Sequence, residues 1–131
     1  MSFGIFFLCF RNGEITTIKR TLVEEIFGRD AIALKFPLTS VDYIDGGAQI
    51  YGANKEDDIE HISFDHFGGD TFFSALYELA DRSGSLIVWP GNPCFAVTRE
   101  ALIAHLPREI VDENPKVVGN GAELAAYVAS S

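Results

Sequence analysis

Basic residues are scarce in this chain: ten Lys and Arg stand against nineteen Asp and Glu, a formal net charge of −9 over 131 residues. That deficit argues against proteins that neutralise a phosphate backbone with a basic face, so no nucleic-acid partner is expected. Cysteine is almost missing as well. Cys9 and Cys94 both lie inside apolar runs, where a free thiol behaves as a small buried hydrophobe and suits a reducing cytoplasm. No apolar run reaches the length of a membrane span, so no membrane partner is expected either. Met1 to Phe10 is apolar, but it lacks the basic flank and small-residue cleavage site of a signal peptide. It stops at Arg11-Asn12-Gly13-Glu14 and reads as a strand of the fold. Phosphate-binding loops are missing too, since neither GxxxxGKS/T nor GxGxxG occurs and the pairs Gly46-Gly47 and Gly68-Gly69 suffice as turns.

What remains is ordinary globular material. The chain is 47% apolar, with eleven Phe, four Tyr and one Trp to fill a core, and its length fits one domain over residues 1–131. Phe3 to Phe10 is apolar at both parities, as in a central strand with both faces covered. After the Asn12-Gly13 turn, Thr17 is placed to cap a helix in which Ile18, Leu22, Val23, Ile26 and Phe27 recur at three and four spacings, closed by Gly28. From Ala31 to Phe67 the period changes to two. Ile32, Leu34 and Phe36 alternate with Ala33 and Lys35, Val41 and Tyr43 with Asp42 and Ile44, and Ile62 and Phe64 with His61, Ser63 and Asp65. That pattern predicts an antiparallel meander with one wet face.

Asp70 is placed to cap a second helix burying Phe72, Phe73, Leu76, Tyr77 and Ala80, with Gly84 at its end. Leu86 to Trp89 and Cys94 to Val97 read as buried strands joined by the loop Pro90 to Pro93. Thr98 would cap a short helix ending at Pro107, and Asn120 with Glu123 opens a last helix that buries Leu124, Tyr127 and Val128. The expected fold is therefore α+β: one domain, a mainly antiparallel sheet of about six or seven strands, and three or four helices.

Chemistry-bearing motifs are sparse. His61, Asp65 and His66 follow Asp57, Asp58 and Glu60 closely, but on a strand His61 and Asp65 stand about 13 Å apart and His66 faces the other way. No single ion is held by that spacing. Asp112, Asn114 and Glu123 fit three positions of a calcium loop, yet Lys116 and Val117 stand where it needs an oxygen ligand and a glycine. Cys94 opens an apolar strand, a poor setting for a thiolate nucleophile, and His105 in the last turn of its helix suits the helix dipole. No catalytic residue, metal or cofactor is assigned.

The feature that stands out is the placement of the acids. Between Asp42 and Asp70, Asp42, Asp45, Glu56, Asp57, Asp58, Glu60, Asp65 and Asp70 face one base, Lys55, giving a local charge of −7 out of −9. Asp42, Asp45, Glu56, Asp57, Asp58, Glu60, His61 and Asp65, with Tyr43 and Tyr51 as aromatic anchors, form the expected binding surface for a basic protein. A surface that only solubilises is the competing reading, with Tyr43 and Tyr51 then packed in the core.

Several segments taken in order resemble a loose group of small bacterial proteins. They are Phe7-Leu8-Cys9-Phe10 with Asn12-Gly13-Glu14, Phe27-Gly28, Asp45-Gly46-Gly47 before Ile50-Tyr51, Ala75-Leu76-Tyr77-Glu78-Leu79, Trp89-Pro90-Gly91 and Gly121-Ala122-Glu123-Leu124. Such proteins are similar in size and charge to immunity proteins that neutralise bacterial toxins. The resemblance implies a cytoplasmic binding module for a basic toxin, such as a nuclease, and brings no catalytic residues with it. Two other classes stay open: a small enzyme or ligand-binding domain with a pocket near Pro90 to Pro93, and a homodimer or larger oligomer whose sheet edge or apolar face mates with itself.

Overall fold

The apolar strand that opens the chain ends up in the middle of the sheet. The computed structural model describes residues 4–35, 37–53, 56–90 and 95–130, and within them β1 (Ile5–Arg11) pairs with β9 (Ser85–Val88) on one side and β8 (Ile62–Gly68) on the other. Both parities are covered. Ile5, Phe7 and Cys9 join the main core, while Phe6, Leu8 and Phe10 pack against a smaller cluster of Leu86, Val88, Val97, Leu102 and Leu106.

Asn12 and Gly13 both take positive φ, 52° and 83°, the two-residue turn that matches strand twist, and return the chain as β2 (Glu14–Thr16) along β1. Beyond β8 run β6 (Gly46–Tyr51), β5 (Ser40–Tyr43) and β4 (Ala33–Lys35), all antiparallel. On the far side of β9 lie β10 (Phe95–Val97) and β11 (Lys116–Val117), and the β10–β11 pair is parallel. The main sheet thus has nine strands in the order β11-β10-β9-β1-β8-β6-β5-β4, with β2 beside β1. A separate pair joins β3 (Ile18–Lys19) to β7 (Asp58–Ile59).

The architecture is α+β and mostly antiparallel as expected, but eleven strands, not six or seven, are present among the described residues. The excess is mostly strands of two or three residues, too short to show a period. Four α-helices and one 3₁₀ helix (Glu100–His105) complete the described chain, against three or four helices expected.

Helices α1 (Arg20–Gly28), α2 (Asp70–Ser83) and α4 (Gly121–Ala129) bury Val23, Ile26, Phe27, Phe72, Leu76, Leu79, Leu124 and Val128 in the main core, with the inward residues of the sheet. Helix α4 crosses α2 at close range. A Cβ on Gly121 would lie 2.8 Å from Ser74 Cα and N, so glycine permits that approach. The 3₁₀ helix and α3 (Arg108–Val111) cover the smaller cluster, bringing Leu102, Ile103, Ile110 and Val111 to Leu86, Val88 and Val97 of the sheet and to Phe6, Leu8 and Phe10. Hence, among the described residues, the sheet has helices on both faces around β9, β10 and β1, and on one face elsewhere.

Helix starts differ from expectation in an instructive way. Thr17 does not cap α1: Ile18 and Lys19 are extended because they pair with Ile59 and Asp58, and the helix begins at Arg20. Thr98 does not cap the 3₁₀ helix either, since its hydroxyl donates to Asp81 Oδ1 at 2.8 Å. Asn120 does cap α4, accepting from the Glu123 N–H at 2.8 Å, and Gly84 closes α2 in the left-handed region with φ 70°. Phe36, Lys55, Cys94 and the loop residues Gly91 to Pro93 lie outside the described residues, and with them the expected pocket near that loop.

Candidate functional site

Alternation along the meander fixes what its outer face displays. Val41, Tyr43, Ala48, Ile50, Ile62 and Phe64 point inward, so Ser40, Asp42, Gly47, Gln49, Tyr51, Ser63 and Asp65 take the other face. The register aligns them in cross-strand rows: Lys35, Ser40, Gln49 and Asp65 form one, and Tyr51 stands opposite Ser63 in the next. Tyr51 is 52% exposed, and its hydroxyl donates to Gln49 Oε1 at 2.8 Å, two residues away on the same face.

Tyr51 and Gly52 separate and share two open depressions. One, about 360 Å³, is lined by Glu56, Asp58, Ile59, Glu60, His61 and Ser63 as well. The other, about 500 Å³, adds Lys35, Thr39, Ser40 and Gln49. His61 marks the border with the covered half of the sheet, its ring stacked on Phe6 at 5.8 Å between centroids.

The expected surface residues divide into three groups. Asp42, Tyr51, Glu56, Glu60, His61 and Asp65 belong to the outer face or its rim. Asp57 and Asp58 are at the rim but already paired. Arg20 reaches Asp57 at 2.7 Å, Lys19 pairs with Asp58, and the backbone N–H of Arg20 donates to the Asp57 carbonyl. Exposed pairs of this kind are screened by solvent, so their main effect here is to cancel charge.

Tyr43 and Asp45 form the third group, tied into the fold, Tyr43 by burial and the exposed Asp45 by a cap. Tyr43 is a correction: it is 4% exposed, its hydroxyl donates to the Phe27 carbonyl at 2.8 Å, and burial raises its phenol pKa well above the usual value. A group inside the core cannot anchor a partner on the surface. Asp45 accepts the Thr71 N–H at 3.1 Å, so the cap of α2 comes from the β5–β6 turn and not, as expected, from Asp70, which is already the first helical residue. The local charge of −7 is thereby thinned. Among the described residues, Asp42, Glu56, Glu60, Asp65 and Asp70 are the acids of this region that meet no Lys or Arg and cap no helix, and the first four lie on the outer face or its rim.

The Thr71 N–H, the largest influence on Asp45, holds its carboxyl below the usual carboxylate range. A carboxyl with a lower pKa folded than unfolded stabilises the fold above its unfolded pKa, and that contribution is lost as pH falls through the folded one. Asp45→Ala is therefore expected to lower the melting temperature at neutral pH, with the difference from the native chain narrowing in acid. Thermal melts across that range check it, and a difference that widens in acid would contradict the cap.

Gln49 and Gly52 were not anticipated, Ser63 was placed on the wet parity with His61 and Asp65 but not among the binding residues, and Lys35 was read only as a strand residue. Parity with Tyr51 would have placed Gln49, whereas Gly52 shows itself only through the approach of His61. Among the described residues no group of three or more His, Cys, Asp or Glu is arranged to hold a metal ion, and no helix is long and apolar enough to cross a membrane. Comparison of the chain with known protein families, curated proteins and solved structures finds no match.

Proposed function

We propose that the chain is a cytoplasmic protein-binding module that takes a basic protein on the bare half of its sheet, in the manner of an immunity protein neutralising a basic bacterial toxin such as a nuclease. One observation carries the reading. Among the described residues, helices cover the outer face over β9, β10 and β1 and leave it bare over β8, β6, β5 and β4, where half-exposed Tyr51 stands between two depressions. Charge complementarity selects the occupant: Asp42, Glu56, Glu60 and Asp65 present carboxylates that no Lys or Arg of the described chain meets. Carboxylates set where a nuclease would hold phosphates speed encounter and fix register, and an aromatic ring supplies the dry contact.

The partner to test is the protein encoded by the adjacent reading frame. The triple variant Asp42→Asn, Glu60→Gln, Asp65→Asn is expected to associate with it about tenfold more slowly at low salt, the difference shrinking at high salt. Tyr51→Ala should raise the dissociation rate about tenfold or more with little change in association. Stopped-flow or surface-based kinetics measure both. Failure of the native chain to bind that protein, or a triple variant with unchanged rates at low salt, would overturn the reading.

A further inference from the structure

Away from the acidic face, the chain gathers its scarce cations around one pocket. Where β1 and α2 both end, a cavity of about 180 Å³ is lined by Cys9, Arg11, Arg82, Gly84, Arg99 and His105, with no Asp or Glu among its lining residues. Three of the ten Lys and Arg of a chain with net charge −9 stand at this small opening.

Two of the guanidinium groups are held by acids that are not among the lining residues. Arg82 meets Glu25 at 3.6 Å and Glu78 at 3.4 Å through one Nη nitrogen, and Arg99 meets Asp81 through Nε at 2.9 Å and the Asp81 carbonyl through Nη2 at 2.8 Å. Each keeps further N–H donors outside those contacts. Arg11 pairs with no acid among the described residues.

His105 adds a fourth donor. Its Nδ1 accepts the Asn12 N–H at 3.3 Å, which leaves the ring proton on Nε2. The Cys9 thiol, for its part, is spent on the Ser83 carbonyl at 3.1 Å, and burial, the largest influence on it, raises its pKa. The lining therefore offers N–H donors, the unopposed charge of Arg11 beside two guanidinium groups whose charge Glu25, Glu78 and Asp81 largely offset, and a thiol unsuited to nucleophilic attack.

We propose that this pocket binds a single tetrahedral oxyanion, either free phosphate or the phosphate group of a monoester. Planar guanidinium forks match phosphate oxygens two at a time, and groups fixed in advance by Glu25, Glu78 and Asp81 lose little freedom on binding. The opening is large enough for one phosphate and part of its hydration. The site lies apart from the bare sheet face, so it stands or falls independently of the toxin-binding reading.

Inorganic phosphate and O-phosphoserine, each titrated into the ¹⁵N-labelled native chain against sodium chloride at matched ionic strength, provide the test. Saturable amide shifts centred on residues 9–13, 82–85 and 99–105 are expected, with affinity falling about tenfold in Arg11→Gln and partly restored in Arg11→Lys. Arg11 is exposed, so its loss should leave the rest of the spectrum unchanged. Tighter binding of O-phosphoserine would identify the ligand as a monoester, and binding of phosphate at least as tight would identify the free anion. Shifts that fail to saturate, that chloride reproduces, or that survive Arg11→Gln at full affinity would overturn the proposal.

Discussion

Phe64→Ala is expected to lower the free energy of unfolding by about 3–5 kcal/mol, the cost of emptying a large buried aromatic site. Phe64 is fully buried on the inward face of β8, and its ring meets Phe27 at 5.2 Å, Phe7 at 5.5 Å and Phe72 at 5.8 Å between centroids. It joins β1, α1 and α2 through one side chain, so the neighbours cannot collapse into the gap without moving backbone. Domains are stable by about 5–15 kcal/mol, and the loss would consume a large share of that margin. The neighbouring Ser63→Ala, on the outer face, should cost no more than about 0.5 kcal/mol. Urea denaturation of the two variants measures the contrast. Equal costs at the two positions would show that the faces of β8 have been assigned wrongly.

Gly52→Ala is expected to cost at least about 2 kcal/mol, more than its single methyl suggests. Gly52 has φ +94°, where a side chain is strained, and a Cβ there would stand 2.2 Å from the His61 carbonyl oxygen. Backbone would have to give way. Because Gly52 lines both depressions beside Tyr51, the displacement of His61 should also weaken partner binding. Gly68→Ala is the comparison: that position has no positive φ and nothing within 4 Å of an added Cβ, so near-neutral stability is expected. Thermal melts of both variants decide the matter, and an equal loss at Gly68 would remove the steric explanation.

Much of this architecture could be read from pattern. The double apolar parity of residues 5–10 marked a central strand, and period two from Ala31 onward marked the meander. Ile18 misled because its four-residue spacing to Leu22 looks helical, while its actual partner, Ile59, lies far along the chain. The same separation hid the charge balance: Lys19 and Arg20 reach acids nearly forty residues downstream, so counting along the sequence overstated the field at the tip. The two tyrosines were separable by parity, Tyr43 falling in step with buried Val41 and Tyr51 out of step with buried Ile50. Asp45 was not. Nothing in the local sequence says that its carboxylate meets Thr71 across the sheet end.

The central position of β1 bears on how the chain acquires its shape during synthesis. Phe7 pairs with Ile87, eighty residues later, and with Ile62 on its other side. At about 5–20 residues per second, translation leaves this strand without its β9 partner for roughly 4 to 16 seconds. For that interval its double apolar face is a segment for chaperones to shield, while the β4, β5, β6 and β8 meander can already close on its own neighbours. The pairing of β1 with β9 has to wait for synthesis of β9, whereas the strands of the bare sheet face, β4, β5, β6 and β8, all precede it in the chain.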